Sequence, residues 1–219
     1  MRAQRGERNR YLPIHSTLCD SCEPHEVVRA LTELYPFKSL YIADLDAIQG
    51  MANNTPTITT LLCDFPNIDF WLDVGIANAS SWPFQQASNI RCIIGSETLN
   101  NLEQYIQLAL QLSANRPMLS LDFNQHGFMG PDSLLESAHW PEALLCMTLT
   151  KVGSYEGPDF EKIAELTAMG RQRKIYAAGG VRHVEDLKRL HCSGAAGALI
   201  ASTLHDGKID AHQIAELMA

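Results

Sequence analysis

The sequence lacks a long apolar run, because no stretch of its 219 residues reaches the roughly 20 consecutive apolar side chains that a membrane-spanning helix needs. The amino terminus is basic and lacks the apolar segment of a signal peptide. Positive charge is scarce overall, since 17 lysines and arginines stand against 25 aspartates and glutamates, for a net charge of -8. Nucleic-acid surfaces need clustered Lys and Arg. We therefore expect a cytoplasmic protein with neither a membrane nor a nucleic-acid partner.

A disulfide framework is missing as well, since six cysteines are scattered over the chain and two of them fall in predicted strands. Cys19 and Cys22 form a C-x-x-C pair, which could hold half a zinc site or act as a redox couple. Zinc takes about four ligands, and neither a second pair nor an H-x-x-H partner follows. The pattern favours free, reduced thiols and no metal site.

The sequence does contain a regular alternation of short strand-like runs and helical stretches. Seven runs are rich in apolar and β-branched residues, at 39–43, 69–73, 91–94, 117–121, 143–148, 174–178 and 197–201. Helices are predicted at 105–112, 160–169 and 210–218. This order predicts an α/β fold built from parallel β-α units. No linker or composition break divides the units, which predicts a single phosphate-binding domain over residues 1–219.

The two halves of the chain echo each other at two consecutive strand ends. The segments 73–76 and 93–96 recur about 105 residues later as 178–181 and 199–202. A duplicated half-barrel has this pattern, so we expect a TIM-type (β/α)₈ barrel. The strand at 117–121 should have a partner near Thr17, but Pro13 interrupts that segment. We therefore expect the barrel to lack its first strand, and the unpaired strand edges to favour a homo-oligomer.

Small residues at strand ends are the candidate phosphate ligands, because barrel enzymes hold phosphate on backbone N–H groups at the carboxyl ends of late strands. Two neighbouring late strands end in Gly179, Gly180, Ala201 and Ser202. The symmetric positions in the other half are Gly75, Gly95 and Ser96. Tight structural turns are the alternative at both places. The second place is the weaker candidate, since Asp73 would repel an incoming phosphate.

Asp122 is the best candidate for proton transfer, because a strand-end carboxylate can act as a general acid or base. Asp44 and Asp46 have a similar placement, and strand alternation allows one of them to face the substrate while the other caps a helix. We select Asp46 as the substrate-binding member of that pair. Thr148 and Thr150 end another strand and could hydrogen-bond substrate, although β-branched residues there more often only pack.

Histidines and arginines in predicted loops carry weaker signals. His126, His183 and His205 are lone loop histidines, which are usually solvated, so spacing gives none of them a catalytic role. The basic amino-terminal loop could clasp an anion or remain solvated, and its arginines are Arg2, Arg5, Arg8 and Arg10.

Several stretches together carry a family likeness that runs from about Met1 to the last helix: 40–47, 93–96, 119–122, 178–181, 185–187, 197–200 and 204–207. They resemble the histidine-biosynthesis barrel family, especially its phosphoribosyl-formimino-aminoimidazole-carboxamide ribonucleotide isomerase. The resemblance implies a (β/α)₈ fold, a small sugar-phosphate substrate and an Amadori-type aldose-to-ketose rearrangement by two aspartates. Asp122 matches the family's fifth-strand aspartate, which acts as the acid. No metal or organic cofactor is implied.

This chain departs from the family pattern at three places. The family's other aspartate lies on the first strand, ahead of a valine-valine-arginine run, and Met1-Arg2 matches the end of that run, so the base is expected to be absent from this chain. The glycine-rich turn of the third strand reads Asp73-Val74-Gly75. Val152-Gly153 replaces the usual aspartate-glycine of the sixth-strand loop.

Residues 41–48 and 152–154 resemble a paralogous branch found in methanogens and methylotrophs, which belongs to one-carbon cofactor metabolism. This likeness implies an isomerase-like enzyme acting on a phosphorylated precursor of methanopterin or methylofuran. Two alternatives remain open. One is a genuine histidine-pathway isomerase, and the other is a catalytically silent binding protein or fragment.

Overall fold

The computed structural model describes residues 1–218, and its strands form one sheet. The strands are β1 (Ser39–Ala43), β2 (Asp69–Asp73), β3 (Ile90–Gly95), β4 (Met118–Asn124), β5 (Gly127–Phe128), β6 (Ala143–Thr148), β7 (Lys174–Ala178) and β8 (Gly197–Leu199). Their order in the sheet is β1-β2-β3-β4-β6-β7-β8, and the short β5 pairs with β4. Pairing is parallel for β1 with β2, β2 with β3, β3 with β4 and β7 with β8.

Helices alternate with these strands along the chain. They are α1 (Pro24–Leu34), α2 (Leu45–Ile48), α3 (Thr55–Asp64), α4 (Leu102–Gln111), α5 (Phe160–Met169), α6 (Val184–Cys192), α7 (Ser202–His205) and α8 (Ala211–Met218). The side chain of Asn101 accepts the Gln104 N–H at the start of α4, and Asp159 accepts the Lys162 N–H at the start of α5. Sequential parallel strands separated by helices confirm the predicted α/β fold of the TIM type.

The predicted strand ends differ from the observed ones by at most three residues. Four of the seven predicted strands have the bounds observed for β1, β2, β6 and β7. The main differences are β4, which continues to Asn124, and β8, which ends at Leu199. As expected, no strand of the parallel sheet precedes β1 in the described part of the chain. That segment holds an antiparallel bridge between Arg2 and Leu12, a 3-10 turn at Arg8–Arg10, and α1.

The chain divides into two compact units. The first comprises Met1–Phe37, Phe123–Gly127 and residues 145–218, and the second comprises Lys38–Asp122 and Phe128–Leu144. In the first unit, α5 and α6 pack on β7 and β8, and the core side chains include Ile163, Leu166, Ile175 and Leu190. The single domain expected over residues 1–219 stays a prediction.

The second unit contains β1 to β3 and most of β4. Strands β2 and β3 are buried along almost their whole length, and Phe70, Leu72, Cys92 and Ile93 are fully inaccessible. A strand covered on both faces reads as a continuous apolar run, which explains the sequence pattern here. The parallel pairing of β1 with β2 sets Ala43 beside Asp73, and that of β3 with β4 sets Gly95 beside Ser120. Polar residues therefore occur where the apolar strands reach their carboxyl ends. Of the helices that the structure describes, none has the length and apolar character to cross a membrane.

Candidate active site

Asp122 lies inside β4 rather than just beyond it, and its side chain is buried. The Ser120 hydroxyl donates to Asp122 Oδ1 at 2.6 Å. The Ser96 hydroxyl and the Glu97 amide donate to Oδ2 at 3.2 and 3.3 Å. The backbone N–H of Asp122 donates in turn to the Ser96 hydroxyl at 2.9 Å. Strand alternation places Ser120 and Asp122 on one face, and the network fixes the carboxyl group in a single orientation.

Burial raises the pKa of Asp122 to about 7 from its ordinary value of 3.8. The negative charges of Asp73 and Glu97 raise it further, while the hydrogen bonds from Ser120 and from the Glu97 backbone lower it. A carboxyl group with a pKa near neutrality can hold a proton at physiological pH and still release it. The environment of Asp122 therefore suits general acid catalysis.

Asp73 ends β2 in the same unit and is 9% exposed. The Tyr41 hydroxyl donates to Asp73 Oδ2 at 3.3 Å, and the Gly75 amide donates to Oδ1 at 2.9 Å. Burial and the Asp73 charge raise the pKa of Tyr41 well above its ordinary value, so this phenol remains a hydrogen-bond donor. The sequence reasoning treated Asp73 only as an obstacle to phosphate, whereas the structure shows a buried, oriented carboxylate.

The residues of the predicted second phosphate site lie beside these carboxylates. A Cβ atom placed on Gly95 would lie 3.3 Å from Asp122 Oδ2 and 3.9 Å from Asp73 Oδ2. Ser96 is completely buried and already bound to Asp122. Gly75 has φ of 63° and packs against Ile48, where a Cβ would lie 2.8 Å from the Ile48 Cα. The negative surroundings disfavour an anion here and favour proton transfer.

The aspartate pair after β1 divides into two roles. Asp44 is buried and caps α2, accepting the Ala47 N–H at 3.2 Å and both the backbone and side-chain N–H groups of Asn54 at 2.7 Å. Asp46 lies in the first turn of α2 and accepts a hydrogen bond of 3.3 Å from the Asn54 amide. The expectation that one member caps a helix is confirmed for Asp44. Substrate binding by Asp46 stays a prediction.

In the other unit, Gly179 and Gly180 follow β7 with φ of 109° and 86°. A Cβ on Gly179 would lie 2.8 Å from the Thr148 carbonyl oxygen, and one on Gly180 would collide with the carbonyl group of Gly157. Both positions therefore need glycine for backbone conformation and for close approach. Thr148 itself is buried at the end of β6, which supports a packing role at least as well as a substrate contact.

Ala201 and Ser202 follow β8 and begin the one-turn helix α7. Ala201 is exposed, and Ser202 is half-buried with its side chain hydrogen-bonded to Tyr155. The neighbouring Thr203 hydroxyl donates to the Val181 carbonyl, which ties the turn after β7 to the start of α7. This contact brings the two predicted strand ends together. Phosphate binding by them stays a prediction.

Sequence reasoning missed a polar network around Tyr155. Arg2 Nη2 donates to the Tyr155 hydroxyl at 2.5 Å, and that hydroxyl donates to Asp206 Oδ2 at 2.5 Å. Arg2 also pairs with Asp206 at 3.1 Å, while the Lys208 ammonium lies 4.1 Å from the Tyr155 ring centroid. Burial and the Asp206 carboxylate raise the pKa of Tyr155. Tyr155 has a positive φ of 58°, which is uncommon for a residue other than glycine and which the sequence does not reveal.

The amino-terminal arginines engage carboxylates of the protein. Besides Arg2, Arg5 pairs with Glu156 at 2.5 Å and Arg10 with Glu7 at 3.0 Å. The Arg5 and Arg10 side chains are exposed as well as paired, and anion binding by this loop stays a prediction. Exposed pairs of this kind stabilise a fold by less than about 1 kcal/mol each, so they position the segment weakly.

His205 differs from the solvated loop histidine expected from its position. It lies in α7, is 5% exposed, and its Nδ1 is 2.9 Å from the Ser16 hydroxyl. Burial lowers the pKa of His205, which favours the neutral imidazole. The expectation of a solvated side chain is wrong for His205 because Ser16, from the amino-terminal segment, covers it.

All six cysteines are free thiols. Cys92 and Cys146 are buried in β3 and β6, as predicted for the two strand cysteines. Cys19 Sγ lies 3.3 Å from the Ser21 carbonyl oxygen, and Cys22 is exposed. Within residues 1–218, no three His, Cys, Asp or Glu side chains are grouped as metal ligands.

Comparison with known proteins places these features in a family context. The family profile described as "Histidine biosynthesis protein" matches residues 4–210. An uncharacterized protein of Methanocaldococcus jannaschii is 28% identical over 214 residues, covering 95% of this chain and 89% of that protein. Two proteins named 1-(5-phosphoribosyl)-5-((5-phosphoribosylamino)methylideneamino) imidazole-4-carboxamide isomerase are also similar. The Campylobacter hominis protein is 27% identical, and the match covers 96% of this chain and 90% of that protein. The Streptococcus sanguinis protein is 23% identical, and the match covers 81% of this chain and 78% of that protein.

Proposed function

The chain belongs to the histidine biosynthesis protein family, and from this premise we propose that it is an Amadori-type aldose-ketose isomerase of a phosphorylated aldosylamine. One observation carries the proposal: Asp122 is a buried, hydrogen-bonded carboxyl group whose pKa is raised to about 7 by burial. The relatives named as isomerases supply the reaction class. The finer part of the proposal is that the substrate is a precursor of a one-carbon cofactor rather than the histidine intermediate.

The reaction needs one proton donor and one proton acceptor. Protonated Asp122 gives its proton to the ring oxygen of an N-substituted aldosylamine as the bond from that oxygen to C1 breaks, leaving a C1–nitrogen iminium. A base removes the proton on C2, and that electron pair forms a C1–C2 double bond while the iminium becomes an amine. The enol then loses its O–H proton while C1 gains one, which yields the ketose. No net proton is gained or lost.

For the phosphate group we propose the segment formed by Gly179, Gly180, Ala201 and Ser202, whose glycines allow backbone N–H groups to approach an anion. Thr148 and Asp46 are proposed as hydrogen-bond partners of the sugar. The corresponding site at Gly95 and Ser96 is flanked by two carboxylates. We therefore propose a substrate with a single phosphate.

The substrate proposal follows from this difference. The substrate for which the related isomerases are named contains two phosphoribosyl groups, and each such group carries a phosphate. A chain with one favourable phosphate segment suits a smaller ligand. We propose a precursor of methanopterin or methylofuran as this ligand, on the likeness of residues 41–48 and 152–154 to the paralogous branch. We propose the cytoplasm as its compartment.

Two substrates test the proposal in parallel. The first is the N-phenyl adduct of ribosylamine 5-phosphate, which has one phosphate, and the second is the substrate named for the isomerase relatives. We expect the purified chain to convert the first substrate to its 1-amino-ketose. The conversion is measured by NMR in deuterium oxide. We expect kcat/KM for the second to be at least about 100-fold lower.

Efficient conversion of the second substrate would instead identify a histidine-pathway isomerase. If neither substrate reacts, the isomerase proposal is wrong and a silent binding protein becomes the better explanation. Asp122→Asn serves as the control for background chemistry, since it should remove at least about 100-fold of kcat.

A further inference from the structure

A second carboxylate faces the same point as Asp122. The position of a Cβ on Gly95 would lie 3.3 Å from Asp122 Oδ2 and 3.9 Å from Asp73 Oδ2. The two oxygens are therefore separated by no more than the sum of those distances. Because residue 95 is glycine, it places no side chain of its own beside the two carboxylates.

The structure holds Asp73 in place through two donors. The Tyr41 hydroxyl donates to Oδ2, and the Gly75 amide donates to Oδ1. The register of β1 with β2 sets Ala43 beside Asp73, and the Asp44 N–H donates to the Asp73 carbonyl at 2.8 Å. These hydrogen bonds engage both oxygens of the Asp73 carboxyl group. The carboxylate is thus oriented before any substrate arrives.

Asp73 departs from the pattern that the family resemblance implies. The family resemblance predicts a glycine-rich turn after this strand, yet the sequence there is Asp73-Val74-Gly75. Asp73 is only 9% exposed, and it lies next to the buried carboxyl group of Asp122. Placing two carboxylates together in this way costs free energy, since like charges repel in a medium of low polarity. Such an arrangement is typical of sites where two carboxyl groups divide the roles of acid and base.

We propose that Asp73 is the base that complements Asp122, taking the C2 proton of the substrate while Asp122 donates to the ring oxygen. This inference rests on the proposed isomerase function. In the first half-reaction Asp122 loses one proton and Asp73 gains one. In the second half-reaction Asp73 returns a proton to C1, and the enol proton passes to Asp122. Both groups are thereby restored. The pair therefore completes the catalytic cycle with no other reactant.

The charges around the pair assign the two roles. The pKa of Asp122 is raised by burial first and then by the negative charges of Asp73 and Glu97, so Asp122 is the member that holds the proton near neutral pH. Tyr41 also faces this group from β1, and its own raised pKa keeps it neutral. With the acid role assigned to Asp122, the base role is left to Asp73, the carboxylate beside it.

The test compares Asp73→Asn with a matched variant, Asp69→Asn, at the other end of the same strand. Asp69 pairs with Arg116 and also accepts a hydrogen bond from the Trp71 indole, and it plays no part in the proposed chemistry. With the N-phenyl ribosylamine 5-phosphate probe, Asp73→Asn should lower kcat at least about 100-fold. KM should change by less than about 3-fold. Asp69→Asn should retain wild-type kcat to within about 2-fold.

Each outcome has a distinct meaning. An active wild type with an Asp73→Asn variant that keeps more than a tenth of its kcat overturns the inference and leaves the proposed function standing. A wild type inactive toward both probes overturns the proposed function, and the role of Asp73 falls with it. If Asp73→Asn does not fold, Tyr41→Phe decides, because it removes only one donor to Asp73.

Tyr41→Phe should lower kcat several-fold and move the acid-side limb of the kcat pH profile to higher pH, since the ionised base loses a stabilising hydrogen bond. A purely structural carboxylate would leave this limb where it is. An unchanged limb together with wild-type kcat would overturn the assignment of Asp73.

Discussion

Replacing Asp122 with asparagine should change how the stability of this protein depends on pH. Burial raises the pKa of Asp122 to about 7 in the folded chain, against an ordinary value of 3.8. Between these two values the folded state binds more protons than the unfolded state. The free energy of unfolding of the wild type should therefore fall as pH rises from about 4 to 7 and level off above that. Asparagine does not titrate, so the variant lacks this contribution.

The size of the effect follows from linkage. With those two pKa values, the free energy of unfolding of the variant, relative to that of the wild type, should rise by roughly 2 to 3 kcal/mol between pH 5 and pH 8. Any constant cost of the substitution, such as changed hydrogen bonding to Ser120, cancels in this comparison because it is present at both pH values. The sign is fixed: asparagine becomes relatively more favourable as pH rises.

Urea unfolding monitored by circular dichroism at pH 5, 6, 7 and 8 measures the difference directly. Met118→Leu, on the same strand, is a control without a titratable group, and its difference from wild type should stay constant. A difference between Asp122→Asn and wild type that also stays constant, or that reverses sign, would refute the raised pKa and with it the acid role.

Three further perturbations follow from the same contacts. Ser120→Ala removes a donor that lowers the pKa of Asp122, so the alkaline limb of the isomerisation rate profile should move up by about 0.5 to 1 pH unit, and an unmoved limb would contradict this. Gly180→Ala should lower the melting temperature, because φ of 86° and the Gly157 carbonyl leave no room for a Cβ. Inorganic phosphate should raise the melting temperature of the wild type but not that of the variant. Burial raises the pKa of Cys92, so a disulfide reagent should modify the exposed thiols in the native protein and reach Cys92 only after unfolding; rapid native labelling at Cys92 would contradict its burial.

The strands were predictable because local sequence determines them. Buried parallel strands such as β2 and β3 need apolar residues on both faces, and this makes short runs that stand out between helices. The end of β4 was less predictable, since Asp122, Phe123 and Asn124 continue the strand although two of the three are polar. Hydrogen bonding of Asp122 to Ser96 stabilises that extension, and a local pattern does not contain it.

The site was predictable only in part for a related reason. Asp122 was identifiable from its strand and from the family likeness. The convergence of Asp73 with Asp122 over Gly95 depends on the register of neighbouring strands, which joins residues far apart in sequence. The same limit applies to His205, which Ser16 covers from the other end of the chain.

The pH dependence of kcat/KM for isomerisation of N-phenyl ribosylamine 5-phosphate tests the central claim most directly, because this constant reports the ionisation of groups in the free enzyme. If protonated Asp122 is the acid, kcat/KM should fall about tenfold per pH unit above a pKa near 7, and Asp122→Asn should lose both the activity and that limb. A rate that stays level from pH 6 to pH 9, or one that Asp122→Asn retains, would contradict the assignment of Asp122 as the catalytic acid.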